Sequence, residues 1–231
     1  FEEGLSDLGG DPLYSGSVSG IEWRSKSDGT KRGFGFQYDT INQLLDANYG
    51  AENFAGAYAA EMGRYSVSGI TYDPNGNILG VKRNGAQEPG QFGQVDNLQY
   101  GYNGNQLLAV TDFASQHGGE DFQDRGADNA LDFTYDVNGN MISDANKGIG
   151  ISYDHNNLPL QVDFGSDRRI EYLYDAVGNK LRQLVVDGSV EPSQIRRRDY
   201  YQGMVYHDGK LGYIMTAEGR AVPVEGDAEF R

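Results

Sequence analysis

The sequence has no cysteine, six prolines and one tryptophan in 231 residues. Without a thiol there is neither a disulfide framework nor a thiolate nucleophile, although the absence identifies no compartment, because secreted chains can lack cysteine too. No apolar run approaches the ~20 residues of a membrane-spanning helix. Basic residues are scarce: 19 Lys and Arg stand against 34 Asp and Glu, a formal charge of −15. That balance argues against a nucleic-acid partner or an anionic membrane surface, both of which select for basic patches. Large aliphatics are few as well. Leu, Ile, Val and Phe make up 50 of 231 residues, about 22%, just above the ~20% below which a highly charged chain stays disordered. The chain should fold, but not around a thick core. Residue 1 is Phe rather than an initiator Met, and the expectation is a piece of a longer protein.

What replaces the missing aliphatics is 33 Gly and 16 Tyr. This composition suits a wall one sheet thick, in which amphipathic tyrosines pack edge to edge and glycines turn each hairpin. The pattern agrees. In residues 131–141, LDFTYDVNGNM, Leu131, Phe133 and Tyr135 alternate on one strand face, and Asn138-Gly139 offers the two positive-φ residues of a two-residue type I′ turn. The phrase recurs. Tyr72-Asp73-Pro74-Asn75-Gly76-Asn77-Ile78 aligns position for position with Tyr135-Asp136-Val137-Asn138-Gly139-Asn140-Met141, and Tyr174-Asp175-Ala176-Val177-Gly178-Asn179 keeps the Tyr-Asp and the Gly-Asn. Weaker copies start at Tyr38-Asp39, at Tyr100 with Gly104-Asn105, and at Tyr153-Asp154. Successive tyrosines lie 34, 28, 35, 18 and 21 residues apart, so the hairpin is the constant unit and the connections carry insertions.

This series resembles the YD repeat of RHS proteins, of Bacteroidetes type, whose consensus is Tyr-Asp, two or three residues, Gly-Asn or Gly-Arg, then Leu. GITYDPNGNILGVKRNG, DNLQYGYNGNQLLAVTDF, ISYDHNNLPLQV and IEYLYDAVGNKLR carry the likeness over nearly the whole chain. The resemblance implies an all-β spiral of hairpins forming part of a hollow shell or barrel wall. It also implies a structural segment of a secreted or cell-surface bacterial protein, one that encloses or presents a C-terminal toxin or effector. YD repeats are linked to carbohydrate as well, so an extracellular module binding glycan or protein is the alternative. The implied partners are the rest of the shell, an effector, and another protein covering the strand edges. The expected organisation is one repeat region over 1–231, with an irregular lead-in at 1–13, hairpins at 14–217 and a tail at 218–231 that leads toward a DHLGN motif the chain does not reach.

Along the chain, Val18, Ile21 and Trp23 read as a strand with the Trp anchored in the wall, and Phe34-Gly35-Phe36-Gln37-Tyr38 alternates three aromatics on one face, with glycine hinting at close backbone approach on the other. Residues 51–62 are alanine-rich and read as a short helix or an ordered loop. The intervals 84–96 and 115–129 are turn-rich and read as mobile surface loops. From 134 to 186 the β pattern is nearly unbroken, and Asp208-Gly209 reads as the turn of a late hairpin. In an excised segment the tyrosine-lined edge nearest 34–38 or 170–174 is expected to be the one most in need of cover.

Chemistry is expected nowhere: no catalytic residue, no cofactor and no metal. Asp73-x-Asn75-x-Asn77 mimics the opening of an EF-hand loop, but Ile78 stands where glycine is required. Asp73-Pro74-Asn75-Gly76 resembles the DPxG part of the RHS autoprotease, yet it sits inside a repeat and no second aspartate is identified for a dyad. His117, His155 and His207 have no ligand-like spacing. Arg196–Arg198 is the densest positive run, read as a solvated strand end or as a contact for an acidic loop such as Glu120-Asp121 or an outside partner.

Overall fold

The computed structural model describes residues 5–61, 63–114, 121–125 and 131–224. They fall into two units, Phe1–Ala130 and Leu131–Arg231, and every strand pairing in both is antiparallel between hairpins.

The first unit is an eight-stranded sheet made of β1 (Gly20–Arg24), β2 (Lys31–Tyr38), β3 (Leu44–Glu52), β4 (Tyr58–Ala60), β5 (Val67–Tyr72), β6 (Ile78–Glu88), β7 (Gln91–Asn103) and β8 (Gln106–Asp112). Its order is β1-β2-β3-β5-β6-β7-β8, with β4 hung on β3. The second unit is a ten-stranded sheet of β9 (Phe133–Tyr135), β10 (Met141–Asp144), β11 (Ile149–Tyr153), β12 (Pro159–Asp163), β13 (Arg168–Tyr174), β14 (Lys180–Asp187), β15 (Gln194–Tyr201), β16 (Met204–His207), β17 (Lys210–Thr216) and β18 (Gly219–Ala221), arranged strictly in chain order. The all-β hairpin array is therefore the fold, and neither sheet closes on itself.

Four expectations are corrected. Of the two readings of 51–62, the helix fails over the described residues 51–61: β3 runs on to Glu52 and a turn at Asn53–Gly56 returns it as β4, Ala51 pairing with Ala59 and Gly50 with Ala60, so pairing with β3 overrides alanine's helix propensity. The interval 84–96 is not a loop but the middle of the longest hairpin, with its punctuation confined to Pro89-Gly90. Gly90 at φ 81° supplies the positive-φ position that follows proline in a type II turn. The lead-in is not irregular throughout. Leu5 bridges Gly10, and a 3-10 turn, Ser6–Leu8, drives Leu8 to 2% exposure. Glycine makes room for it: a Cβ on Gly35 would stand 2.6 Å from the Leu8 carbonyl oxygen, and one on Gly50 2.5 Å from its Cδ2. Finally, β1, β8, β9 and β18 end the two sheets: residues 34–38, on β2, lie beside the edge strand β1, but residues 170–174, on β13, lie in the middle of their sheet and near no edge. Most of the interval 115–129, the C-terminal part of the tail and His117 lie outside the described residues.

The alternation read at 34–38 becomes a run of ring contacts across the first sheet. Trp23 stacks on Phe34 at 5.8 Å between centroids, Phe34 meets Tyr49 edge-on at 5.4 Å, Tyr49 meets Tyr65 at 5.3 Å, and Tyr65 meets Phe92 at 5.3 Å. Such pairs contribute roughly 0.5–1.5 kcal/mol each beyond area burial.

Candidate functional site

The repeat phrase builds one recurring object, a turn closed on its own aspartate. Asp136 Oδ1 accepts the backbone N–H of Asn138 at 2.9 Å and of Asn140 at 2.9 Å, and the chain closes with Gly139 N–H on the Asp136 carbonyl at 3.0 Å. Only Gly139 has positive φ, at 86°. The expected two-residue type I′ turn is therefore replaced by a type I turn followed by a left-handed residue, the three-residue hairpin loop. The reason lies in the aspartate, which holds the next residues in the right-handed region by an Asx turn. Asp73 does the same to Asn75 and Asn77, Asp175 to Val177 and Asn179, Asp154 to Asn156 and Leu158, and Asp39 to Ile41 and Gln43. In the last two, Asn157 (φ 60°) and Asn42 (φ 63°) take the glycine position.

The closing asparagine adds a second grip. Asn77, Asn140 and Asn179 each donate Nδ2–H to the other carboxylate oxygen of their own aspartate, at 2.8, 2.9 and 2.8 Å. That bond, ahead of the backbone amides, holds Asp73, Asp136 and Asp175 below the usual carboxylate range. Neighbouring turns also touch. Asn77 reaches Asn105 Oδ1 at 3.0 Å, and Asn138 and Asn140 reach Asn157 Oδ1 at 3.0 and 2.7 Å. True two-residue turns with both residues at positive φ occur late in the chain, at Gln202-Gly203 and at the expected Asp208-Gly209.

Three of the repeat tyrosines, Tyr38, Tyr72 and Tyr153, clasp the chain that precedes their own hairpin. Tyr72 donates its hydroxyl to the Leu44 carbonyl at 2.7 Å, and Leu44 is the residue paired with Tyr38. Tyr153 donates to the Met141 carbonyl at 2.9 Å, and Met141 is paired with Tyr135. Tyr38 donates to the Val18 carbonyl at 2.8 Å. Desolvation first, then the preceding hairpin's aspartate, raises the phenols of Tyr72 (Asp39), Tyr153 (Asp136) and, with Tyr172 acting as well, Tyr174 (Asp154). Tyr102 shows the same signature toward Asp73 and pairs with Leu107 beside its turn. It is therefore Tyr102, not Tyr100, that holds the repeat position in that hairpin; Gly101 after Tyr100 hid the shift in register.

Sequence reading missed one copy and a set of buried carboxylates. Asn53 repeats the turn without a Tyr-Asp, accepting the N–H of Ala55 at 2.9 Å and of Ala57 at 3.2 Å. Asp96 and Asp144, at 1% and 2% exposure, are held by Arg83 and the Phe122 N–H, and by the Lys147 N–H and ammonium, respectively. No periodicity marks them: Asp96 is held from another strand and a distant loop, and Asp144 by Lys147, three residues on in the turn that follows its strand. Among the described residues no group of three or more His, Asp or Glu gathers to hold a metal ion. Asp73 meets amides rather than a second carboxylate, and no helix is long and apolar enough to cross a membrane.

No protein-family model and no curated protein sequence matches the chain. Solved structures do match its fold. The crystal structure of TcdB2-TccC3 aligns at TM-score 0.52 and 14% identity over 91% of this chain and 12% of that one, and the TcdB2-TccC3-Cdc42 crystal structure gives the same values. The Photorhabdus luminescens Tc holotoxin pore aligns at TM-score 0.50 and 14% identity over 90% of this chain and 11% of that one. At this identity the likeness is one of fold, and the chain spans about an eighth of the chains it matches.

Proposed function

We propose that the chain is a structural segment of the wall of a large secreted or cell-surface RHS-type shell, which encloses or presents a C-terminal toxin or effector, and that no residue in it does chemistry. The observation that carries this reading is the tyrosine clasp. Each hairpin is too thin to bury an apolar face by itself, and the repeat phenols tie it to the one before, so hairpins can be added sideways without a core. The likeness to Tc toxin chains supports it at the level of fold. The remainder of the shell would then cover β1, β8, β9 and β18 as its neighbours in the wall.

The alternative, an extracellular module for glycan or protein, calls for rings standing free on one face. The repeat tyrosines are instead half-buried, and three of them have their hydroxyls engaged by backbone carbonyls. Electron cryomicroscopy of the full-length parent tests the proposal. The expected result is a hollow particle with these hairpins in its wall; a solid two-sheet sandwich, or glycan-array binding abolished by removing an exposed ring such as Trp23, would overturn it.

A further inference from the structure

A protein at −15 carries one face with the opposite sign. Directly paired residues of neighbouring strands share a face, so the register of β13–β18 can be read across the sheet. Arg168 pairs with Asp187, Lys180 with Tyr174, Arg196 with Val185, Arg198 with both Gln183 and His207, Lys210 with His207, and Arg220 with Met215. The side chains agree: Gln183 donates to the Tyr172 hydroxyl at 3.4 Å, and Lys180 Nζ stands 4.8 Å from the Tyr172 ring centroid and 5.8 Å from that of Tyr200. Six cations therefore share this face, and Asp187 is the one carboxylate that the register of these strands places among them.

The opposite face is built differently. There Arg182 and Arg197 both bond Asp199, at 2.7 and 2.5 Å, and Arg169 bonds Glu171 at 2.5 Å. On that side three arginines meet two carboxylates and every one of them is ion-paired, whereas the first face is left with a larger, mostly unpaired surplus. Arg196 and Arg198 are exposed and form no ion pair among the described residues, while Lys180 and Arg220 lie over tyrosine rings, which hold a cation without cancelling its charge. The two arginines line a cleft of about 320 Å³ together with Gln183, Val185, Arg197, His207 and one carboxylate, Asp208.

We infer that this face docks an extended, acidic polypeptide segment, with carboxylates on alternate residues received by Arg196 and Arg198. Alternate residues of an extended chain lie ~6.8 Å apart on one side, which is also the separation of two arginines at i and i+2 on a strand. The guanidinium fork suits a carboxylate in bidentate contact. A nucleic acid fits less well. Its affinity comes from neutralising many phosphates over a long track, and beyond this patch the chain's net charge repels it, whereas a short peptide needs only the patch. The inference holds whether or not the chain lines a shell.

Fluorescence anisotropy on the full 231-residue chain tests it, with a labelled (Glu-Ser)5 peptide at about 50 mM salt, where Debye screening is weak. A (Lys-Ser)5 peptide and a ten-nucleotide oligothymidylate run in parallel. The acidic peptide alone should bind, and R196E/R198E should weaken it about tenfold or more. The charge-matched control K26E/K82E in the first unit should change it less than about twofold. Circular dichroism checks folding, and R196Q/R198Q replaces the reversal variant if that fails to fold. Absence of binding, equal loss in the control, or tighter binding of the oligothymidylate would each overturn the inference.

Discussion

The two units use the same turn and clasp but differ in what lies against the sheet. Among the described residues, the first contains Leu8, Ala47, Tyr49, Ile70, Val95 and Val110 as buried apolar residues and the second only Val205. The first owes this to what interrupts its repeats: the lead-in folded under Gly35 and Gly50, the extra strand β4, and the long β6–β7 hairpin whose Phe92 ends the run of rings. The second follows the repeat almost without interruption, in chain order, and stays one layer thick. Regular hairpins make a wall; irregular insertions make a core. Charge follows the same division, with 18 acidic and eight basic residues up to position 130 and 16 and 11 after it.

If that contrast is real, damage should stay within one unit, as read by hydrogen exchange along the intact chain. The largest effect is expected from Leu8→Ala. Loss of this buried side chain should cost ~2–4 kcal/mol and accelerate exchange in β1–β3 while leaving β13–β16 unchanged; uniform acceleration would break the distinction. Val205→Ala should cost less, ~1.5 kcal/mol from the methyl groups removed, and act only in the second sheet. Tyr72→Phe and Tyr153→Phe should each cost ~1 kcal/mol for one hydrogen bond, loosening β5 against β3 and β11 against β10 to a similar degree, because the clasp is what the units share.

The smallest effects are in pH. The phenols of Tyr72, Tyr153 and Tyr174 are raised in the fold, so their contribution is complete below the unfolded value of about 10 and is lost as pH climbs through the folded values. Tyr→Phe variants should flatten that alkaline limb. Asp73, Asp136 and Asp175 are lowered, so their contribution is present above the unfolded value of about 4 and is lost as pH falls through the folded values. D136A should remove part of the acid-promoted exchange of β9 and β10 and leave that of the first sheet unchanged.

Much of this was legible from local signals. Tyr-Asp with Gly-Asn marks each turn, and alternation marks the strands, including the rings at Phe34 and Phe36 and the close approach at Gly35. The type of turn was misread because Asn-Gly is a strong two-residue signal and the two backbone bonds that override it are accepted by an aspartate that lies outside the dipeptide. Residues 84–96 were misread as a loop because Gly85 and Gly93 count as punctuation, although in the fold they pair with each other inside the ladder.

By itself, then, the order of residues determined the repeat hairpins, the places of their turns and their succession, since these depend on φ preferences and side-chain bonds within a few positions. Only the tertiary structure decided which tyrosine clasps which carbonyl, that Leu8 lies beneath Gly35 and Gly50, and that six cations of β13–β18 face one side. Period two settles which residues of one strand share a face. Which faces of different strands coincide depends on register across connections of unequal length and on bulges that shift it, and those are set by packing between strands.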